Sequence, residues 1–163
     1  AKITIENKRK FGGEIVGDIQ VESSKLMAIT VNKKLSPRLI DEYPILFVAA
    51  SFASGLSNFR GLNELKVKES NRLKSMAKAL SEAGVKLKLG KDSIEIKGEK
   101  SQIGGNIVST ESDHRIAMSM LIFGLFSNKP IVIDEMTMIK TSFPGFKETF
   151  EKIGAKIEYL QKH

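Results

Sequence analysis

Short stretches in which apolar and polar residues alternate are spread along the whole chain, and each predicts a β-strand. The predicted strands are KITIE, DIQVES, MAITV, SNFRGL, VKLKL, SIEIKG, NIVST, PIVID and AKIEYL. Between them lie four stretches in which apolar residues recur at helical spacing. The order of these stretches predicts an α/β fold.

The four predicted helices begin near Asp41, Glu69, Asp113 and Ser142. Pro44 falls in the first turn of the first helix, where proline is tolerated, and Gly84 and Gly154 end the second and the fourth. We expect Ser142 to be an N-cap. In the first helix, one face is predicted to consist of Ile45, Leu46, Ala49 and Phe52. The third helix is apolar nearly all round, which predicts burial inside the domain.

The helices and strands are arranged in a repeat. Gly84 and Gly154 are 70 residues apart, and each follows a predicted helix and precedes a predicted strand. Asp41 and Asp113 are 72 residues apart, and each opens a predicted helix. The chain itself begins with AKITI, which matches the residues that follow the glycine in GAKIEY. We therefore expect a preceding segment to complete the first repeat.

Composition restricts the possible functions. The chain has 163 residues, 41% hydrophobic and 28% charged, as expected for one soluble globular domain. It has no cysteine, which excludes disulfides and thiol catalysis, and its two histidines, His114 and His163, cannot form a zinc site alone. The longest apolar run, residues 116–126, is shorter than the roughly 20 residues of a membrane-spanning helix. No export signal is recognised, so cytoplasmic localisation is expected.

The net charge of +7 favours anionic partners. The basic residues are scattered along the chain, and the aromatic residues are 9 Phe and 2 Tyr with no Trp. Modules that bind nucleic acid usually concentrate basic charge in one patch or interleave it with aromatic residues. We predict no nucleic-acid and no membrane partner, with a basic anion-binding or nucleic-acid-binding module as the non-enzyme alternative.

The segment KVKESNRL contains the first candidate site. Lys68 and Arg72 are four residues apart and Glu69 and Arg72 are three apart, so a helix beginning there would bring all three side chains together. Two cations at a helix start repel each other and oppose the helix dipole. An anion bound between them would remove this cost. The alternative is a solvated helix start with a Glu69–Arg72 ion pair.

The segment SDHRIAM repeats this arrangement. Arg115 lies in the first turn of a predicted helix that is otherwise apolar, so its guanidinium is expected to face solvent or a ligand. The alternative is a structural ion pair with Asp113 or Glu111. Asp41 is either the N-cap of its helix or a carboxylate at the same edge, and His114 is expected to be structural.

Four motifs in order, IDEYPILFVAA, ELKVKESNRL, DHRIAMSM and TSFPGF, resemble the C-terminal part of the 5-enolpyruvylshikimate-3-phosphate synthase family. The resemblance implies one lobe of the enolpyruvyl transferase fold, built from repeated β-α-β units with helices packed inside mixed sheets. It implies that residues 1–163 are a single incomplete lobe of a two-lobed, monomeric enzyme whose other lobe is absent. UDP-N-acetylglucosamine enolpyruvyl transferases share the fold and remain the competing enzyme class.

The resemblance also implies a reaction: transfer of the enolpyruvyl group of phosphoenolpyruvate to the 5-hydroxyl of shikimate 3-phosphate in chorismate and aromatic amino-acid biosynthesis. No metal or organic cofactor is expected, and the chain alone is expected to be inactive. Asp41 matches the carboxylate that accepts the 5-hydroxyl proton, and Glu69 matches the acid that protonates the phosphoenolpyruvate methylene. Asp41 and Lys68 match shikimate 3-phosphate-binding positions. The positions matching the phosphoenolpyruvate-binding residues are Glu69, Arg72, Asp113, Arg115 and Lys140.

Three positions depart from the family pattern. Asn71 stands where an aspartate is usual, and Lys66 stands where an arginine is usual. Lys140 is displaced by about one position relative to the SFP sequence that follows it, so its correspondence is the weakest.

Overall fold

The computed structural model describes residues 1–160, so His163 lies outside the described residues. Within residues 1–160 the strands are β1 Lys2–Phe11, β2 Glu14–Glu22, β3 Thr30–Val31, β4 Gly55–Arg60, β5 Lys86–Leu89, β6 Ser93–Gly98, β7 Ile107–Val108 and β8 Val132–Ile133. The helices are α1 Ser36–Leu39, α2 Tyr43–Ser51, α3 Arg72–Glu82, α4 His114–Phe126, α5 Thr137–Ser142 and α6 Phe146–Lys152, with a 3₁₀ turn at Asn63–Val67.

A four-stranded mixed sheet forms one layer of the fold, in the order β3-β4-β6-β5. β3 runs parallel to β4, whereas β4, β6 and β5 are antiparallel neighbours. Side chains alternate between the two faces of a strand, and Phe59, Ile94 and Ile96 lie on the face that is buried by the helices. The sheet therefore has one core face and one solvent face.

Helices α2 and α3 pack against this sheet, and α2, α3 and α4 pack against one another. Tyr43 and Phe47 of α2 meet Phe59 of β4, with edge-on ring contacts at centroid distances of 5.9 and 5.1 Å. Such contacts between aromatic edges and faces add to the burial of apolar area. The helices are thus packed against mixed sheets, as the resemblance implies.

Two smaller sheets complete the described fold. β7 and β8 form a short parallel pair beside α4, and α5 and α6 contribute to a second apolar cluster around Phe146. β1 and β2 form an antiparallel hairpin with Ile3 opposite Val21 and Ile5 opposite Ile19. These four aliphatic side chains share one face of the hairpin and are each at least half exposed. No other described part of the chain covers that face.

Eight of the nine predicted strands overlap an observed strand within the described residues. The prediction of a strand at AKIEYL is wrong, because residues 155–160 form no ladder with another strand. A strand needs a hydrogen-bonded neighbour, and an alternating pattern does not specify one.

The second helix begins at Arg72 and not at Glu69, with Asn71 as its N-cap. Ser142 is not an N-cap, because it ends α5, and the last helix begins later, after Gly145. The four residues predicted to share one face of the first helix, Ile45, Leu46, Ala49 and Phe52, are half-buried or exposed. The buried positions of α2 are Tyr43, Pro44, Phe47, Val48, Ala50 and Ser51.

Other parts of the prediction are confirmed. α4 begins after Asp113, and Pro44 lies in the first turn of α2. Gly84 and Gly154 end their helices with φ of +92° and +101°, a left-handed conformation that glycine adopts without the steric cost of a Cβ. The strand predicted after the glycine follows only Gly84. Along residues 1–160, the structure contains no helix that combines the length and the apolar character needed to span a membrane.

Candidate functional site

Arg72 connects three separate segments of the chain. It is the first residue of α3 and only 1% exposed. Its Nε donates to Asp113 Oδ2 at 2.8 Å, its Nη1 donates to Asp41 Oδ1 at 2.9 Å, and its Nη2 donates to the carboxylate of Glu69. Three of the five N–H donors of the guanidinium are therefore satisfied by carboxylates. The buried charge of Arg72 is compensated from three directions.

We define the Arg72 cluster as Asp41, Lys68, Glu69, Arg72, Asp113 and Arg115.

Asp113 is the buried carboxylate of the cluster. As the N-cap of α4, its Oδ1 accepts the backbone N–H of Arg115 at 2.9 Å. Its Oδ2 accepts the hydroxyl of Ser70 at 3.0 Å in addition to Arg72 Nε. Burial raises the pKa of Asp113, but the hydrogen bond and charge of Arg72, with the other two donors, hold this pKa below its ordinary value. Asp113 is therefore ionised at neutral pH.

Asp41 is more exposed than Asp113 and lies two residues before the start of α2. Besides Arg72, it is paired with the Nζ of Lys68 at 3.4 Å, and its backbone oxygen accepts Nη1 of Arg115 at 2.7 Å. Arg115 Nη1 also lies 3.3 Å from a carboxylate oxygen of Glu42. Burial opposes ionisation, but the charges of Arg115, Lys68 and Arg72 and the hydrogen bond from Lys68 together lower the pKa of Asp41. Asp41 thus stands among three cations as an ionised carboxylate.

The structure changes several expectations about local geometry. Lys68 and Glu69 precede α3, so a shared first helical turn does not bring them to Arg72. The Glu69–Arg72 ion pair is present, as the alternative interpretation predicts. Asp41 does not cap α2, whose N-cap is Glu42 without a side-chain hydrogen bond. The Arg115 side chain pairs with Glu42 and not with Asp113 or Glu111.

The remaining predicted residue, Lys140, lies apart from these contacts. It is exposed in the last turn of α5, a helix that packs against α4. Among the described residues it makes no ion pair or hydrogen bond to a member of the Arg72 cluster. The structure therefore brings together six of the seven predicted site residues.

Sequence reasoning missed Ser70, Glu42 and Glu64. Ser70 binds Asp113, Glu42 binds Arg115, and Glu64 pairs with Lys68 at 3.6 Å. Glu64 precedes Lys68 by four residues, a spacing that favours an ion pair on a helix, and this is a usable signal. The contacts of Ser70 and Glu42 depend on residues 43 and 73 positions away, which local spacing does not reveal.

The site has more negative than positive groups. With its neighbours Glu42 and Glu64 it contains five carboxylates and three cations. Across residues 1–160, no group of three acidic or histidine side chains is arranged to hold a metal ion. The arrangement can transfer protons at carboxylates that neighbouring cations hold in place, and it presents the half-exposed Arg115 guanidinium to an anion.

An apolar groove lies away from this cluster. It has a volume of about 690 Å³ and is lined mainly by apolar side chains from α2 and α4, among them Ile45, Phe52, Ile122 and Phe126. Lys25 and Lys100 are also part of its lining. None of the Arg72 cluster residues lines it.

Comparison with solved structures first identifies the fold as that of the enolpyruvyl transferases. The chain resembles an enolpyruvyl transferase, NikO from Streptomyces tendae, with a TM-score of 0.64 over 94% of this chain and 33% of that one; at 15% identity this likeness concerns the fold alone. EPSP synthase from Acinetobacter baumannii is closer, with a TM-score of 0.91 and 38% identity over 98% of this chain and 37% of that one.

The family model for EPSP synthase (3-phosphoshikimate 1-carboxyvinyltransferase) matches residues 3–150, and the chain belongs to this family. A 3-phosphoshikimate 1-carboxyvinyltransferase of Bartonella quintana (strain Toulouse) is 49% identical over 159 residues, which are 96% of this chain and 36% of the relative. That of Gluconobacter oxydans (strain 621H) is 45% identical over 155 residues, 95% of this chain and 35% of the relative. The chain thus spans little more than a third of these relatives.

Proposed function

We propose that this chain supplies part of the active site of a 3-phosphoshikimate 1-carboxyvinyltransferase. That enzyme would transfer the enolpyruvyl group of phosphoenolpyruvate to the 5-hydroxyl of shikimate 3-phosphate. The observation that carries the proposal is the convergence of the Arg72 cluster from three chain segments that contain the family motifs. Family membership indicates which reaction to expect, and the Arg72 cluster contains carboxylates that can transfer protons and cations that can bind anions.

Both substrates are polyanions, which gives the cations their proposed roles. Arg72 and Arg115 bind phosphoenolpyruvate, whose carboxylate and phosphate match the planar fork of a guanidinium. Lys68 binds shikimate 3-phosphate together with Asp41, because the two side chains already lie 3.4 Å apart. Lys140 on exposed α5 is assigned to phosphoenolpyruvate by its motif alone.

The two less buried carboxylates, Asp41 and Glu69, are assigned the proton transfers. The 5-hydroxyl oxygen adds to C2 of phosphoenolpyruvate while its proton goes to Asp41, and a proton from Glu69 goes to C3. This gives a tetrahedral intermediate. In the second step Glu69 takes a proton back from C3, and phosphate leaves C2 with the electrons of the C–O bond and with the proton held by Asp41, which restores the double bond. The lowered pKa of Asp41 keeps it unprotonated at neutral pH and ready to accept a proton.

The chain is further proposed to be an incomplete lobe whose cleft is completed by another part of a longer protein. Anion binding needs more positive charge than a site with two excess carboxylates provides, so additional cations must face it. The apolar groove between α2 and α4 and the open apolar face of the β1–β2 hairpin are surfaces that the rest of the lobe would cover. A monomeric parent, a cytoplasmic location and the absence of nucleic-acid or membrane partners remain predictions.

A chimera tests the proposal. The segment of the Bartonella quintana relative that aligns with this chain is replaced by residues 1–160, and phosphate release is measured with both substrates. We expect turnover that requires phosphoenolpyruvate and shikimate 3-phosphate together. A chimera that does not fold, or that folds by circular dichroism without turnover, would contradict the proposal. UDP-N-acetylglucosamine in place of shikimate 3-phosphate serves as the control for the sibling reaction.

A further inference from the structure

Asp134, which directly follows β8, is bound to Thr110 by two hydrogen bonds. Its Oδ1 accepts the backbone N–H of Thr110 at 2.9 Å and the Thr110 hydroxyl at 2.7 Å. Thr110 is fully buried, whereas Asp134 is exposed. Burial opposes ionisation of Asp134, but the donors from Thr110, Ser109 and Glu135 lower its pKa, so the acceptor is a carboxylate at neutral pH.

Thr110 is the first residue of a tight turn. Its carbonyl oxygen accepts the backbone N–H of Asp113 at 2.9 Å. The two central residues, Glu111 and Ser112, have φ of +50° and +55°. Two left-handed central residues define a type I′ turn, for which Asn-Gly is the favoured sequence. Glu-Ser is disfavoured there because a Cβ clashes in the left-handed conformation. The turn therefore depends on surrounding contacts.

The turn ends in the Arg72 cluster. Its last residue, Asp113, binds Arg72 Nε and accepts the backbone N–H of Arg115. A change in the turn would displace the buried carboxylate and the start of α4 together. Asp134 holds the opposite end of the turn through Thr110, and within residues 1–160 it forms no hydrogen bond or ion pair with a member of the Arg72 cluster.

We propose that Asp134 is a positioning residue, which fixes the left-handed turn at Glu111 and Ser112 through Thr110 and so sets the geometry of Asp113 and Arg115. This inference rests on the proposed function only for its effect on turnover. The placement of Asp113 and Arg115 can be measured in a chain that has no turnover.

The first experiment uses the 163-residue chain and hydrogen exchange followed by NMR. In Asp134→Ala, exchange of the backbone N–H groups of Asp113 and Arg115 should be about tenfold faster, relative to amides of the central sheet, because both hydrogen bonds depend on the turn. Val132→Ala is the matched control, because it weakens β8 but keeps the carboxylate. Unchanged exchange in Asp134→Ala, or an equal increase in Val132→Ala, would overturn the proposal.

The second experiment uses the active chimera. Asp134→Ala should raise KM for phosphoenolpyruvate by about 10- to 100-fold, a size typical of a small misplacement of binding groups, with less change in KM for shikimate 3-phosphate. Asp134→Asn keeps an oxygen acceptor, so its KM for phosphoenolpyruvate should lie between that of the parent chimera and that of Asp134→Ala. Val132→Ala should lower Tm without this change in KM. An Asp134→Ala chimera with an unchanged KM for phosphoenolpyruvate would count against the proposal.

A rescue separates positioning from general stability. Adding Glu111→Asn and Ser112→Gly to Asp134→Ala supplies a sequence that forms the type I′ turn without help. We expect KM to return towards the parent value. A KM that stays high although Tm recovers would overturn the role of the turn. If the parent chimera lacks turnover, the proposed function fails, and the exchange experiment still decides the placement of Asp113 and Arg115.

Discussion

Replacing Asp113 with asparagine tests how strongly the Arg72 cluster stabilises the fold. Asp113 and Arg72 are 0% and 1% exposed, and their contact measures 2.8 Å. Asparagine has nearly the same shape as aspartate and retains an oxygen that can accept the Arg115 N–H. The substitution therefore removes one negative charge and leaves the cap of α4 in place.

The expected loss of stability depends on the carboxylate partners that Arg72 keeps. Removing one member of a buried ion pair costs about 3–5 kcal/mol when the other charge is left without a partner. Arg72 keeps Asp41 and Glu69, so the loss should be nearer the value of a hydrogen bond to a charged group, about 1.5–3 kcal/mol. For a domain of this size, each kcal/mol lowers Tm by about 2–4 °C. We expect Tm to fall by about 3–12 °C at pH 7.

The loss should depend on pH, because the pKa of Asp113 is lowered in the folded chain. A carboxylate with a lowered pKa stabilises the fold above its unfolded pKa of about 3.9 and loses this contribution as pH falls through the folded pKa. The Tm difference between the parent chain and Asp113→Asn should therefore be largest at pH 7 and should decrease below about pH 4.

Thermal melts followed by circular dichroism at pH 7, 5 and 3 measure this difference. Glu99→Gln is the control, because its 2.8 Å contact with Lys86 lies on the solvent-exposed sheet surface and should not change Tm measurably. An Asp113→Asn chain as stable as the parent at pH 7, or a deficit as large at pH 3 as at pH 7, would refute the reasoning.

Three further predictions concern other parts of the chain. Asn71→Ala removes the side-chain oxygen that accepts the Lys74 N–H at 3.1 Å and should lower the free energy of unfolding, measured in urea, by about 1 kcal/mol. Asn71→Ser keeps a capping oxygen and should not lower it. Equal losses in the two variants would contradict a capping role. Gly98→Ala would place a Cβ 1.8 Å from the backbone oxygen of Ala53 and should abolish the circular dichroism signal of the folded chain. Gly12→Ala places its Cβ in open space and should retain this signal. A folded Gly98→Ala chain would contradict the close approach of Gly98 to Ala53. The isolated chain should release no phosphate from phosphoenolpyruvate and shikimate 3-phosphate, and measurable release would show that it needs no further catalytic groups.

The sequence predicts elements best where local chemistry determines them. Asp113 is expected to open α4 and Gly84 to end α3, because a capping carboxylate and a left-handed glycine act within one turn of the helix. The predicted start of α3 is three residues early, because Glu69 and Ser70 turn towards Arg72 and Asp113 instead of continuing a helix. Tertiary contacts determine that boundary.

The composition of the candidate site is partly predictable, and its contacts are not. The motifs single out Arg72 and Arg115, and spacing connects Arg72 with Glu69, but spacing gives no reason to connect Arg72 with Asp41 and Asp113. The turn at Glu111 and Ser112 is unpredictable for a related reason. Neither residue favours the left-handed backbone, and we attribute the conformation to the hydrogen bonds that Thr110 donates to Asp134, 24 residues away along the chain.

The β1–β2 hairpin has a consequence for how the chain behaves in concentrated solution. Each of its two strands has one edge without a described neighbour, and its aliphatic face is open, so copies of the chain can associate through strand edges. The net charge of +7 opposes this association at neutral pH, but the isoelectric point is about 9.5. Alkaline buffers weaken the repulsion by removing charge, and high salt weakens it by screening. Moderately acidic to neutral buffers of low ionic strength therefore give the greatest colloidal stability.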